Sequence, residues 1–277
     1  MTLSSRNNLL KVGIVVGIAA LVMISVLAFR MLPLYPDLTA MAIKRAPGLI
    51  QLLTGRFFKP VPAVSFVTMV AAVAYAFITL SVIYYFFEKT LAAEILFLAL
   101  FVFSFIFEGI RVTAPLWMLY ELPGIYITLS FRVLFFARFF GIFSLFTASL
   151  YASGMEMRRQ ENFVLIGVAA AFVFALGIPI DGLSWDSSLN MVSGYSTMLK
   201  LVEIGVILIT MASFFIAAYS RGSREYLIIG GGSFLAVLGR NMLFSSDTWL
   251  TPLPALALLV TGTWFMCAQI RKVYLWL

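Results

Sequence analysis

The sequence predicts an all-α, polytopic membrane bundle of about eight spanning helices, an N-terminal anchor followed by seven, with both termini cytoplasmic. Three observations predict it. The chain is 62% hydrophobic and only 11% charged over 277 residues, with a mean hydropathy of +1.04, whereas soluble domains carry about 25% charged residues. Eight stretches reach the roughly 20 apolar residues that a helix needs to cross a hydrocarbon core about 30 Å thick. They are 10–32, 62–87, 91–112, 125–151, 162–180, 196–219, 226–244 and 252–273. The basic residues between them fall mostly on alternate connections, which sets orientation.

Residues 1–277 read as a single integral domain, with the anchor at 10–32, an outer loop at 33–61 and a seven-helix bundle over 62–277. Arg6 and Lys11 precede the first stretch like a signal peptide's basic region, but no A-x-A site follows its apolar run, so an uncleaved anchor is expected. Cleavage would leave seven helices in the same orientation. Gly13 and Gly17 form a GxxxG pair that marks a packing face, either within the bundle or in a dimer. Pro33, Pro36 and Pro47 break the following loop, where Ala40–Thr54 mixes apolar residues with Lys44 and Arg45. That segment reads either as a surface amphipathic helix or as a plain connection. Glu88-Lys89 joins the second and third stretches, and Gly177 to Gly182 stops the fifth. Gly230-Gly231-Gly232 and Gly239 give the seventh a small-residue face for close packing.

Arg6, Lys11, Lys89, Arg158, Arg159, Arg221, Arg224, Arg271 and Lys272 share one set of connections and termini, assigned to the cytoplasm. The opposite connections 181–195 and 245–251 hold Asp181, Asp186 and Asp247 but no Lys or Arg. Lys44, Arg45, Arg56 and Lys59 run against the rule by lying outside. Tyr35, Trp117, Tyr120, Tyr126, Trp185 and Trp249 are expected at the outer interface. Tyr84, Tyr85, Tyr151, Tyr219, Tyr226, Tyr274 and Trp276 are expected at the inner one. A plasma-membrane protein is the expectation.

Composition also narrows the chemistry. A net charge of +7 and a pI near 9.6 would point to nucleic acid in a soluble chain, but here the basic residues flank or enter apolar spans, so no nucleic-acid partner is expected. There is no histidine and only one cysteine, Cys267, which removes intrachain disulfides, most zinc sites and Ser-His-Asp triads. No catalytic residue, metal or cofactor is expected, and the chain is not expected to be an enzyme. A retinal protein needs a Schiff-base lysine within its last span, where this chain has only Lys272 at the end.

What remains is a set of charges within apolar helices, each costing roughly 2.5–3.5 kcal/mol at a span centre. Arg111, Arg132, Arg138, Lys200 and Arg240 face only Glu108 and Glu203 as counter-charges, with Asn241 beside them. Glu108–Arg111 and Lys200–Glu203 are three residues apart and can share a helix face. Depth places Arg111, Arg132, Lys200 and Arg240 with both glutamates near the outer ends of four helices, and Arg138 ~20 Å in, apart from them. Two readings stand: local or crossed ion pairs acting as struts, or an outward pocket whose excess positive charge receives an anion.

The second reading predicts a sensor- or receptor-like module that binds an anionic small molecule or lipid headgroup. Its partners would be the bilayer and a membrane subunit or cytoplasmic signalling chain, because the inner loops are too short to carry a signalling domain. A small transporter or flippase is the alternative, with Arg138 near the midplane where coupling sites lie. The orientation is testable in a Cys267→Ser background with single cysteines at Ser193 or Ser223. An impermeant maleimide should label the Ser193 position on intact cells and the Ser223 position only after permeabilisation; the reverse pattern overturns the assignment.

Overall fold

The computed structural model describes residues 3–31, 61–90, 92–154, 160–180 and 184–275. The Ala40–Thr54 segment, Lys44, Arg45, Arg56, Lys59, Arg158, Arg159, Asp181, Tyr35 and Trp276 lie outside the described residues. The described chain is all helical apart from turns and one isolated bridge between Trp185 and Met191. Its helices are α1 (Leu3–Met31), α2 (Pro62–Phe87), α3 (Ala93–Phe103), α4 (Thr113–Tyr120), α5 (Gly124–Ala152), α6 (Gln160–Gly177), α7 (Ser196–Arg221), α8 (Arg224–Phe244) and α9 (Pro252–Leu275). A 3₁₀ stretch, Ser104–Val112, joins α3 to α4, and the three together form one span, so eight segments are long and apolar enough to cross a membrane. The chain is a multi-pass membrane protein.

Residues with the right local chemistry delimit these helices. Pro62 begins α2 and Pro252 begins α9, where a missing N–H costs nothing. Gly222 closes α7 in the left-handed conformation at φ 61°. The third span departs most from expectation, because it continues past 112 to Tyr120. Glu121 ends it at φ 46°, and Leu122-Pro123 leads into α5.

The α3 helix runs through the middle of the bundle, with every residue from Ala93 to Val102 buried. Around it lie two apolar cores. One gathers Phe101, Phe105, Leu145, Phe214, Tyr226 and Met266; the other gathers Ile24, Phe66, Val73, Val112, Phe131 and Trp185. Trp185 stacks edge-on against Trp117 at 5.9 Å, and Tyr151 and Tyr226 are buried, so these three aromatics are core residues rather than interface markers. In contrast α6 packs mainly on α5 and buries only Ala171 and Ala175.

Small residues set the closest approaches. A Cβ at Gly13 would meet Phe103 and Leu80, and one at Gly17 would meet Phe77 and Ile106. The GxxxG face is therefore filled by α2 and the third span of the same chain. Leu10, Gly13, Gly17, Ile24, Ala28 and Met31 form the buried stripe of α1, spaced at close to the helical period. The α8–α9 contact is the most extensive in the bundle, since Gly232, Gly239 and Gly262 let the two backbones touch.

The two ends of the bundle differ. At one, Arg6 donates to the carbonyls of Phe87 (2.6 Å), Glu88 (3.3 Å) and Thr90, closing the C-terminus of α2. Tyr274 donates to Glu94 at 2.7 Å, and Lys272 pairs with Glu225 at 3.0 Å. The start of α1 and the end of α9 thus meet the same α2–α3 turn. At the other end, the connections after α6 and α8 dip into the bundle and shape a cavity.

A Cβ at Gly262 would lie 2.5 Å from both the Ala236 nitrogen and the Gly232 oxygen, whereas one at Gly205 meets nothing within 4 Å. Gly262→Ala should therefore lose about 1–3 kcal/mol through overpacking despite better helix propensity. Thermal unfolding in detergent checks this, with Gly205→Ala expected to be neutral or slightly stabilising.

Candidate binding site

The site begins with the pitch of the 3₁₀ stretch. Three residues per turn stack every third side chain on one edge, so Phe105, Glu108 and Arg111 form a row facing the end of α8. Phe105 packs its ring 5.3 Å from that of Phe244, the last residue of α8. Arg111 donates from Nη1 to the Phe244 carbonyl at 2.8 Å, and from Nη2 to Thr68 Oγ1 at 3.1 Å and the Ser65 carbonyl at 3.4 Å. Glu108 points to α5.

There it meets Arg138 in a two-pronged pair: Nε donates to Oε1 and Nη2 to Oε2, both at 2.7 Å. Planar fork-to-carboxylate geometry of this kind is the strong form of the interaction. Arg111 Nη1 lies 3.7 Å from the same carboxylate. Glu108 is 1% exposed, and its two arginines supply the compensation that a buried charge requires. Arg138 Nη2 also donates to Asn190 Oδ1 at 2.7 Å, while Asn190 Nδ2 donates to the Phe244 carbonyl at 2.8 Å. The Asp186 carboxylate accepts from the backbone N–H groups of Ser188 and Asn190, which holds this loop in place.

A second pair sits beside the first. Arg240 Nη1 donates to Glu203 Oε1 at 2.7 Å and to Asn241 Oδ1 at 2.9 Å; its Nη2 reaches the carbonyl of Arg138 at 3.0 Å. The guanidinium carbons of Arg138 and Arg240 lie 4.9 and 4.8 Å from the centroid of the Phe244 ring. Such contacts add about 2 kcal/mol when desolvated.

These groups border a cavity of about 570 Å³ between α5, α7, α8 and the two dipping loops. Arg138, Lys200, Glu203, Arg240 and Asn241 line it; Glu108 and Arg111 lie beneath. The sequence expectation needs two corrections. Arg138 is the centre of the cluster, not apart from it. With the third span ending at Tyr120, Glu108 lies ~20 Å from that end, at the depth of Arg138 within α5. Arg132 leaves the cluster instead and caps α6, donating to the carbonyls of Ala175 at 3.2 Å and Leu176 at 2.7 Å. Nor does Lys200 pair with Glu203, which Arg240 takes; Lys200 is exposed and makes no ion pair among the described residues.

Asp186, Asp247 and Asn190 also line the cavity, from loops whose acids had pointed only to topology. The lining carries Arg138, Lys200 and Arg240 against Asp186, Glu203 and Asp247, so the formal charges balance. Hydrogen-bonding capacity does not balance. Among the described residues, Arg138 Nη1, Lys200 Nζ and Asn241 Nδ2 are donors that protein acceptors leave available, against Glu203 Oε2 as the corresponding charged acceptor. No group of three His, Cys, Asp or Glu residues that could hold a metal ion occurs among the described residues. Comparison with protein-family models, curated proteins and solved structures found no match.

Arg138→Gln should cost about 3–5 kcal/mol, because it strips a buried carboxylate of its main partner. Pairing it with Glu108→Gln should recover a large part of that loss, as contacting residues couple. Arg132→Gln, at a helix end, should cost only about 1 kcal/mol. Chemical or thermal unfolding of the four proteins in one detergent measures all three.

Proposed function

We propose that this chain is a ligand-binding, sensor- or receptor-like module of the plasma membrane, and that its cavity receives the anionic group of a small molecule or lipid headgroup. The observation that carries this reading is the surplus of donors facing the cavity once Glu108 and Glu203 have taken their arginines. Lys200 supplies the mobile positive charge, and Arg138 presents one edge of a guanidinium already aligned by its salt bridge, so little order is lost on binding. Polar and charged lining residues would orient the ligand, while Phe135, Phe139 and Ile142 give it an apolar wall. The cavity faces away from the basic end, which the charge rule assigns to the cytoplasm. Signal output would therefore pass to a partner chain at the inner loops.

A transporter or flippase is the second reading, supported by the depth of Arg138. Against it, Leu145, Phe214 and Phe105 belong to one continuous apolar core below the charged cluster. A moving substrate would have to break that packing.

Lys200→Gln tests binding without disturbing the buried pairs. Purified protein should be stabilised by inorganic phosphate or glycerol 3-phosphate, reaching about 2.7 kcal/mol at a hundredfold excess over Kd. The variant should keep its melting temperature without ligand and lose most of the ligand-induced shift. Equal shifts in both proteins, or none in either with phosphates and carboxylates alike, would refute the reading.

A further inference from the structure

The lining of the cavity changes character with depth on all three helices, and a second, smaller cavity continues it. On α7, Lys200 and Glu203 give way to Ile204, Ile207 and Met211 at helical spacing, so charge and apolar surface follow one face down the helix. On α5, Arg138 is followed by Ile142 and Leu145; on α8, Asn241 and Arg240 precede Val237 and Phe234 toward the interior. Ile142 borders both cavities, and the lower one lies between these same three helices. The upper cavity also meets the lipid-facing surface, where Ile204 is 52% exposed and Lys200 stands one turn above it.

From this continuity we infer that the ligand is an anionic lipid. Its phosphate binds Lys200 and the outer edge of Arg138, and one acyl chain enters past Ile142 to lie along the α5–α7–α8 seam. The inference rests on the proposed anion site and adds the tail. Between Lys200 and Met211 the seam is ~16 Å long, room for most of a fatty acyl chain. Separating the helices there costs little cohesion, because lipid tails pack against apolar side chains about as well as helices do. A free water-soluble anion would use the upper cavity and leave the lower one empty. A lipid uses both.

Photocrosslinking separates these cases. Full-length protein in neutral detergent is irradiated with a phosphatidic acid carrying a diazirine in its acyl chain, and the labelled peptides are mapped by mass spectrometry. Labelling should concentrate on Ile204–Met211 and Ile142–Leu145, be competed by unlabelled phosphatidic acid but not by phosphatidylcholine, and fall roughly tenfold in Lys200→Gln. Ile207→Trp should block labelling of the seam while preserving stabilisation by glycerol 3-phosphate, which also verifies that this variant is folded. Label scattered over the exposed face of α6 at Leu165 and Phe172, insensitive to Lys200→Gln, would overturn the lipid assignment. If glycerol 3-phosphate still stabilises the protein in that case, the anion site survives and only the tail is refuted; if it does not, both fail.

Discussion

The carboxylate of Glu108 is the constraint on which the rest of the described architecture depends. An ionised group at 1% exposure inside an apolar bundle is tolerated only when fully compensated. Arg138 supplies the compensation directly and Arg111 supports it from the same helix. Each arginine then needs acceptors for its other N–H groups, and finds them on α2, on the end of α8 and on the loop before α7. One buried charge thus recruits four separate segments. The Phe244 carbonyl, with no helical partner at the end of α8, completes the network by accepting from Arg111 and Asn190.

Hydropathy and length made the spans legible, because hydrocarbon thickness fixes the number of apolar residues required. Residue types made the charged cluster legible too, since Glu108, Arg111, Glu203 and Arg240 have no reason to sit in apolar runs unless they meet. Their pairing was hidden for geometric reasons. Spacing by three made Lys200 the natural partner of Glu203, but a lysine near the helix start reaches outward more cheaply than it crosses the bundle. Arg240, embedded at 2% exposure, has no such escape and takes the carboxylate. Arg138 looked isolated because Val112 was taken as the end of the third span. Nothing in Thr113–Tyr120 is less helical than what precedes it; the actual stop is Glu121 and the proline two residues on. The roles of Asp186 and Asn190 were not legible at all, because a loop's descent into a bundle leaves no periodic trace.

The bundle's ends express a division of labour. At the basic end, Arg6 and Tyr274 satisfy backbone and carboxylate groups of the α2–α3 turn and draw both terminal helices onto it. At the opposite end, polar groups are turned toward a cavity rather than toward each other, with Lys200 and one edge of Arg138 left open. Stability is concentrated where the helices are tied, which leaves the other end able to exchange contacts with something that is not part of the chain.

The 3₁₀ stretch also has a mechanical side. Nine residues rise ~18 Å at 3₁₀ pitch but only ~13.5 Å as an α-helix. Ser104–Val112 is therefore held in an extended form. Relaxing to the tighter rise would retract Thr113–Tyr120 by ~4 Å and swing the Phe105–Glu108–Arg111 row out of register. Two different forces act on the same nine residues: the helix backbone favours shortening, and the Glu108–Arg138 fork acts as a latch that keeps the spring drawn.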